Sequence, residues 1–179
     1  MKPGSLHRIE SVWPAAPTEI DLHFPMRPTV SVRYNDAIAI ERGPLVYSLQ
    51  IGEEWTRVNL DKPHRELPHG DFEVRPTTPW NYGLVSDDQH PENGLVFEER
   101  RVGERPFSPD GAGVVARARG RRIPSWKIVR GWAGELAAAD SGTADPGKPI
   151  SDQPIEPVTL IPYGCTNIRI TEFPRVRDA

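Results

Sequence analysis

Along much of this chain, apolar and polar residues alternate one for one. In "TEIDLHF", Ile20, Leu22 and Phe24 fall on one side and Glu19, Asp21 and His23 on the other. In "VSVRY", Val30, Val32 and Tyr34 oppose Ser31 and Arg33. Successive side chains of a strand point to opposite faces, so a period of two predicts strands with one buried face. The stretch "IERGPLVYSLQIGEEW", residues 40–55, carries parts of two such runs. Ile38 and Ile40 oppose Glu41 before Gly43-Pro44; Leu45, Tyr47, Leu49 and Ile51 oppose Ser48 and Gln50 after it. The apolar parity shifts from even to odd across the Gly-Pro, which predicts a bulge or a sheet-switching corner there. "DFEVR", "GLVFEERRV", "GVVARAR", "SWKIV", "PVTLI" and "TNIRITEF" extend the series, the last with Ile168 and Ile170 against Asn167, Arg169 and Thr171.

Only "WAGELAAAD" has helical character, for two to three turns at most. Prolines sit mostly between the runs, where a missing N–H breaks no ladder bond. Ten or so short strands separated by turn residues predict an all-β fold, an antiparallel β-sandwich of jelly-roll-like kind. A chain of 179 residues suffices for one such domain, residues 1–179. Residues 133–157, rich in Ala, Gly, Pro, Asp and Ser and without periodicity, read as a long, mobile surface excursion within it.

Composition sharpens this picture. The hydrophobic share is 37% with 20 prolines, so much of the chain is loop. A net charge of -3 gives no electrostatic case for nucleic acid or an anionic membrane. No run approaches the ~18 apolar residues of a membrane helix, and "MKPGSLHRIE" has no apolar signal-peptide core. Cys165 is the one cysteine, which excludes a disulfide within the chain and a multi-cysteine zinc site but leaves the compartment open.

Five groups of residues have potential for chemistry. In "RPTTPWNYGL", Trp80 and Tyr82 flank Asn81 in a proline-bounded loop; aromatic faces beside an amide are what sugar recognition uses. The structural alternative makes Trp80 a plug over the end of the sandwich, with Asn81 satisfying loop backbone groups, and it is preferred. His7, His23, His64, His69 and His90 lack the spacing of any zinc module, and "KPHRELPHGDFE" reads as solvated loop. Arg117, Arg119 and Arg121 would share a strand face with Val115, a thin nucleic-acid footprint that acidic segments such as "SDD" and "FEE" would neutralise. Cys165 has no base or activating cation beside it and reads as a small buried residue. Glu41 beside the Gly-Pro would need a second carboxylate across a cleft to be catalytic, and its default role is structural.

"IERGPLVYSLQIGEEW", "PTTPWNYGL" and "PVTLIPYGCTNIRITEFP", in that order, resemble the C-terminal β-sandwich region of glycoside hydrolase family 127, the β-L-arabinofuranosidase-like enzymes of bacterial-type polysaccharide degradation. "HRIESVWPAAPTEIDLHFPM" is similar to the strands that link the family's middle sandwich to its last one, which would make residues 1–28 linking strands from a preceding sandwich. The resemblance spans about residues 6–174 except the excursion; its most specific element is Arg42-Gly43-Pro44-Leu45-Val46-Tyr47. It implies that catalysis, with a cysteine nucleophile, a glutamate and a cysteine-held zinc, resides in an (α/α) barrel that this stretch of sequence does not contain. Cys165 matches none of those motifs, so no catalytic, cofactor or metal residue carries over.

Three roles follow as expectations. The first is a non-catalytic accessory domain supporting a catalytic barrel, or the same role as the small subunit of a two-chain glycosidase. The second is an autonomous carbohydrate-binding module for plant-type oligosaccharides, using Trp80, Asn81 and Tyr82 with Trp55 or Trp132. The third is a small hydrolase using carboxylates among Glu53, Glu54, Asp71 and Glu73. No cofactor, metal, nucleic acid or membrane is implied by any of the three.

Overall fold

The computed structural model describes residues 4–6, 8–87, 90–140 and 150–178. Among them the chain is all-β, with helix confined to short 3-10 turns such as Tyr34–Asp36 and Tyr163–Cys165. The strands are β1 (Pro28–Val32), β2 (Ile38–Arg42), β3 (Leu45–Leu49), β4 (Glu53–Val58), β5 (Asp71–Pro76), β6 (Tyr82–Val85), β7 (Val96–Glu99), β8 (Val114–Arg122), β9 (Ile128–Val129), β10 (Trp132–Ala133), β11 (Ile155–Pro162) and β12 (Arg175–Val176). One main sheet runs β1-β2-β3-β11-β8-β6-β12, with β7 also paired to β8. Its pairs are antiparallel except β12 on β6. β4–β5 and β9–β10 are separate hairpins.

The main sheet curls until its far sides meet. Ile38 and Phe173 exchange backbone hydrogen bonds of 2.8 and 2.9 Å, while the Leu84 N–H donates to Pro174 O at 2.9 Å. The C-terminal segment therefore closes the space between β2 and β6, giving a sandwich-like body around one principal core. Gly83 makes this closure sterically feasible. A Cβ there would lie 2.6 Å from Val176 Cγ1 and 2.7 Å from the Pro174 carbonyl. Inside the curl, Ile38, Ile40, Tyr47, Leu84, Leu160, Phe173 and Val176 are shut off from solvent. β8 buries only small side chains in that core, Ala116 and Ala118, with Val114 packed at its margin. The larger residues of the facing strands fill the volume, each worth about 1.5–3 kcal/mol on burial.

The Gly-Pro corner takes a tighter form than the expected bulge or sheet switch. Arg42 pairs with Leu45 and Glu41 with Val46, so Gly43 and Pro44 are the two loop residues of a hairpin. Gly43 has φ +58°, which an L side chain resists, and proline's ring fixes a negative φ at the next position. Opposed residues in such a hairpin share a face, and here each even position meets an odd one. The parity shift is the signature of that two-residue loop.

Other expectations need correction. "TEIDLHF" forms no strand: residues 8–27 run without ladder partners among the described residues, leaving Ile20, Leu22 and Phe24 exposed. A period-two segment without a neighbouring strand cannot pair its backbone or bury its face. "WAGELAAAD" is not helical, because Trp132–Ala133 pairs with Ile128–Val129 and Leu136 and Ala137 pack on the core. "TNIRITEF" contributes Ile170 and Phe173 to the core through one backbone bond from Leu49 and an isolated two-bond bridge with Ile38 rather than a continuous ladder. The flanks of the 133–157 excursion are anchored: Ala139, Asp140 and Ser151 are buried, and Asp140 accepts from the Ile150 and Arg177 N–H groups. Its middle, residues 141–149, lies outside the described residues. Among the described residues no helix is long and apolar enough to cross a membrane.

Candidate functional site

The "RPTTPWNYGL" residues part company in the structure. Asn81 is buried and its amide donates to the Ile123 carbonyl at 2.8 Å and the Trp126 carbonyl at 3.1 Å. It is committed to holding the turn after β8. Tyr82 is buried on β6 and donates its hydroxyl to Glu156. Burial first, and then the Glu156 carboxylate, push that phenol up to about 12. Trp80 divides its surface. It packs on the core and meets Trp126 edge-on, centroids 5.1 Å apart, yet it also lines an open cleft.

That cleft, about 430 Å³, lies between the two small hairpins. Val74 and Pro76 of β5 and Ile128, Gly131 and Trp132 of the β9–β10 hairpin line it, together with Trp80 and residues 167–170. Two tryptophans thus border one opening. The hairpin is turned by Arg130 and Gly131, both at positive φ, and fastened by Trp126, whose indole N–H donates to Gly134 O at 3.1 Å. Trp132 stands at its tip, 79% exposed. The polar lining is Asn167 and Arg169. Both are exposed residues of "TNIRITEF", while Ile168 is half-buried and Ile170 buried between and beside them.

Glu53 fixes this polar wall. Its carboxylate accepts from the Asn167 backbone N–H and side-chain amide, both at 2.9 Å, from the Ile168 N–H at 3.2 Å and from the Trp55 indole at 3.1 Å. Burial alone would raise its pKa, but the hydrogen bonds from Asn167, Ile168 and Trp55 outweigh it and hold the carboxyl below its ordinary value. Glu53 also borders a larger opening of about 600 Å³ that includes Asp110 and Tyr82. With its oxygens committed to four donors and its proton easily lost, it is poorly suited to act as a general acid there.

The other carboxylates are also engaged or turned apart. The β4–β5 register pairs Glu54 with Arg75, Thr56 with Glu73 and Val58 with Asp71, which places Glu54, Glu73 and Asp71 on the face opposite Glu53. Asp71 accepts from Asn59 at 2.9 Å and pairs with Arg65 at 3.2 Å; Glu73 pairs with Arg75 at 3.0 Å. Glu41 accepts from Ser31 at 2.7 Å and Arg33 at 2.9 Å across β1–β2.

On β8, Arg117 pairs with Glu98 of "FEE", Arg119 pairs with Asp178, and Arg121 is buried with its guanidinium on the Ser151 carbonyl. Cys165 is buried with Ala112, Val115 and Ile161; its thiol donates to Pro106 O at 3.3 Å, and burial pushes its pKa up. Among the histidines, His7 lies outside the described residues, while His23, His64, His69 and His90 are exposed. No group of three or more metal-ligating side chains occurs among the described residues.

Trp55 joins the aromatic side of the β4–β5 hairpin, edge-on to Phe72 at 5.7 Å. Comparison with protein-family models, with curated proteins and with solved structures finds no match.

Proposed function

We propose that this chain is a non-catalytic accessory β-domain of a family 127-like glycoside hydrolase, supporting a catalytic (α/α) barrel that lies outside these 179 residues. A small subunit of a two-chain glycosidase would play the same role from a separate polypeptide. The jelly-roll-like connectivity of the family's last sandwich belongs to this proposal.

The observation that carries it is the N-terminal arm. Ile20, Leu22 and Phe24 are 50%, 60% and 69% exposed in strict alternation, with Val12 and Trp13 also open to solvent. Scattered surface hydrophobics need no explanation, but a patterned apolar series beside a well-closed body suits a surface that a neighbour covers. The commitment of Glu53, Asp71 and Glu73 to structural partners supports the non-catalytic half of the reading.

The test is to express the chain together with its flanking reading frames and purify through the chain. Co-purification of a helical-barrel polypeptide is expected, with hydrolysis of aryl β-L-arabinofuranosides confined to the complex. Turnover by the chain alone, abolished in Glu53→Gln, would overturn the proposal.

A second reading, a carbohydrate-binding module, has one observation in its favour: the cleft bordered by Trp80 and Trp132.

A further inference from the structure

Arg169 is the one charged residue that lines that cleft. Its Nε donates to Thr166 O at 3.0 Å, and its guanidinium lies over the Tyr163 ring, 4.5 Å from the centroid. These contacts hold the side chain in place, yet no acidic residue pairs with it among the described residues. An oriented guanidinium with terminal N–H groups to spare matches a carboxylate, which it can meet through two parallel hydrogen bonds.

We infer that the cleft between the β4–β5 and β9–β10 hairpins is a binding site for an acidic oligosaccharide, a sugar carboxylate on Arg169 and pyranose faces against Trp132 and Trp80. Tryptophan rings offer large, rigid apolar faces to sugar C–H groups. Asn167 has its amide N–H group on Glu53, which leaves its side-chain carbonyl as an acceptor for a hydroxyl. The cleft volume, about 430 Å³, falls within the roughly 300–1,000 Å³ of small-ligand sites. One unpaired arginine suits one carboxylate per recognised unit; a polynucleotide would need several cations along its backbone. The inference rests on the carbohydrate-binding reading of the cleft and uses no residue of the N-terminal arm.

The experiment is calorimetric titration of the full chain with a linear uronic acid trisaccharide and with its carboxyl-reduced, neutral counterpart. The acidic sugar should bind with a Kd of about 0.1–1 mM and the neutral one about tenfold more weakly. Trp132→Ala should weaken the acidic sugar by about tenfold or more with the melting temperature unchanged, because Trp132 is exposed. Arg169→Gln should bring the two sugars to similar affinity, and Arg169→Lys should restore part of the difference. Absence of binding at about 10 mM sugar, where a millimolar site would be filled, overturns the inference. So does wild-type affinity in Trp132→Ala, equal affinity for the two sugars in the wild type, or tighter binding of a single-stranded oligonucleotide. None of these outcomes alters co-purification with a barrel, so the two proposals fail separately.

Discussion

Ile20, Leu22 and Phe24 are between 50% and 69% exposed, while Ile38 and Ile40, spaced in the same way, are 2% and 1% exposed. The local pattern of the two segments is alike; their surroundings are not. β2 has β1 on one edge, β3 beyond its hairpin and Phe173 bridging at Ile38, so its backbone is paired and its apolar face covered. Near its end the arm meets the body, where the Arg42 Nε donates to Met26 O at 3.3 Å and the Met26 side chain lies over Gly43. A period of two states which face a strand will bury. It does not state what will cover that face.

The contrast is broken most severely from inside the body. Phe173→Ala removes a fully buried ring at the closure point and should cost about 3–5 kcal/mol, measured by denaturant unfolding. Phe24→Ser in the arm should fall within about 0.5 kcal/mol of wild type. Equal losses would mean that the arm packs on the body in solution. Trp80→Ala falls between them, at about 2 kcal/mol, because Trp80 is only partly buried against the core. A loss as large as that of Phe173→Ala would make Trp80 purely a plug. Gly83→Ala tests the closure itself: its new methyl meets the Pro174 carbonyl and Val176, and overpacking should cost about 1–3 kcal/mol.

A smaller effect sharpens the account of the cleft. Glu53 has its folded-state pKa lowered from an ordinary value of 4.5. Below that ordinary value the unfolded chain binds the extra proton, so stability rises with pH through the window. The contribution is complete above the unfolded value and lost as pH falls through the folded one. Glu53→Gln should therefore be less stable than wild type at neutral pH and should converge on it in acid, in melts run across pH 2–7. A constant difference across that range would remove the charge-assisted role assigned to Glu53.

Much of the body was legible because its strands bury one face and expose the other. β7 falls within an alternating run, and β1, β5, β8 and β11 each overlap one while extending beyond it. β6 escaped notice because Pro79 and Gly83 read as loop punctuation, whereas Gly83 is present to admit the C-terminal segment. β4 was missed because its hairpin lies outside the main sheet and its strand is largely exposed. At the cleft, Trp80 and Trp132 were identifiable as aromatics but not as neighbours, since 52 positions separate them and only the hairpin fastened by Trp126 brings them to one opening. Arg169 and Asn167 carried a usable signal, the polar side of "TNIRITEF", whose function depends on what that side faces. Cys165 is buried and Arg117 and Arg119 are ion-paired with Glu98 and Asp178, as the residues suggest, whereas Arg121 departs from the expected solvated face and is buried on the Ser151 carbonyl.

The central claim is that a closed body carries an apolar arm, residues 8–27, that has no strand partner among the described residues. Residue-resolved hydrogen–deuterium exchange on the purified chain, shown to be monomeric by light scattering, tests it most directly. The account predicts that amides 18–26 exchange at the rates of an unstructured peptide, while those of Ile38, Leu49, Leu84 and Phe173, each donating to a backbone carbonyl, exchange only through opening of the body. Arm amides protected to the same degree as the body in the monomer would contradict it.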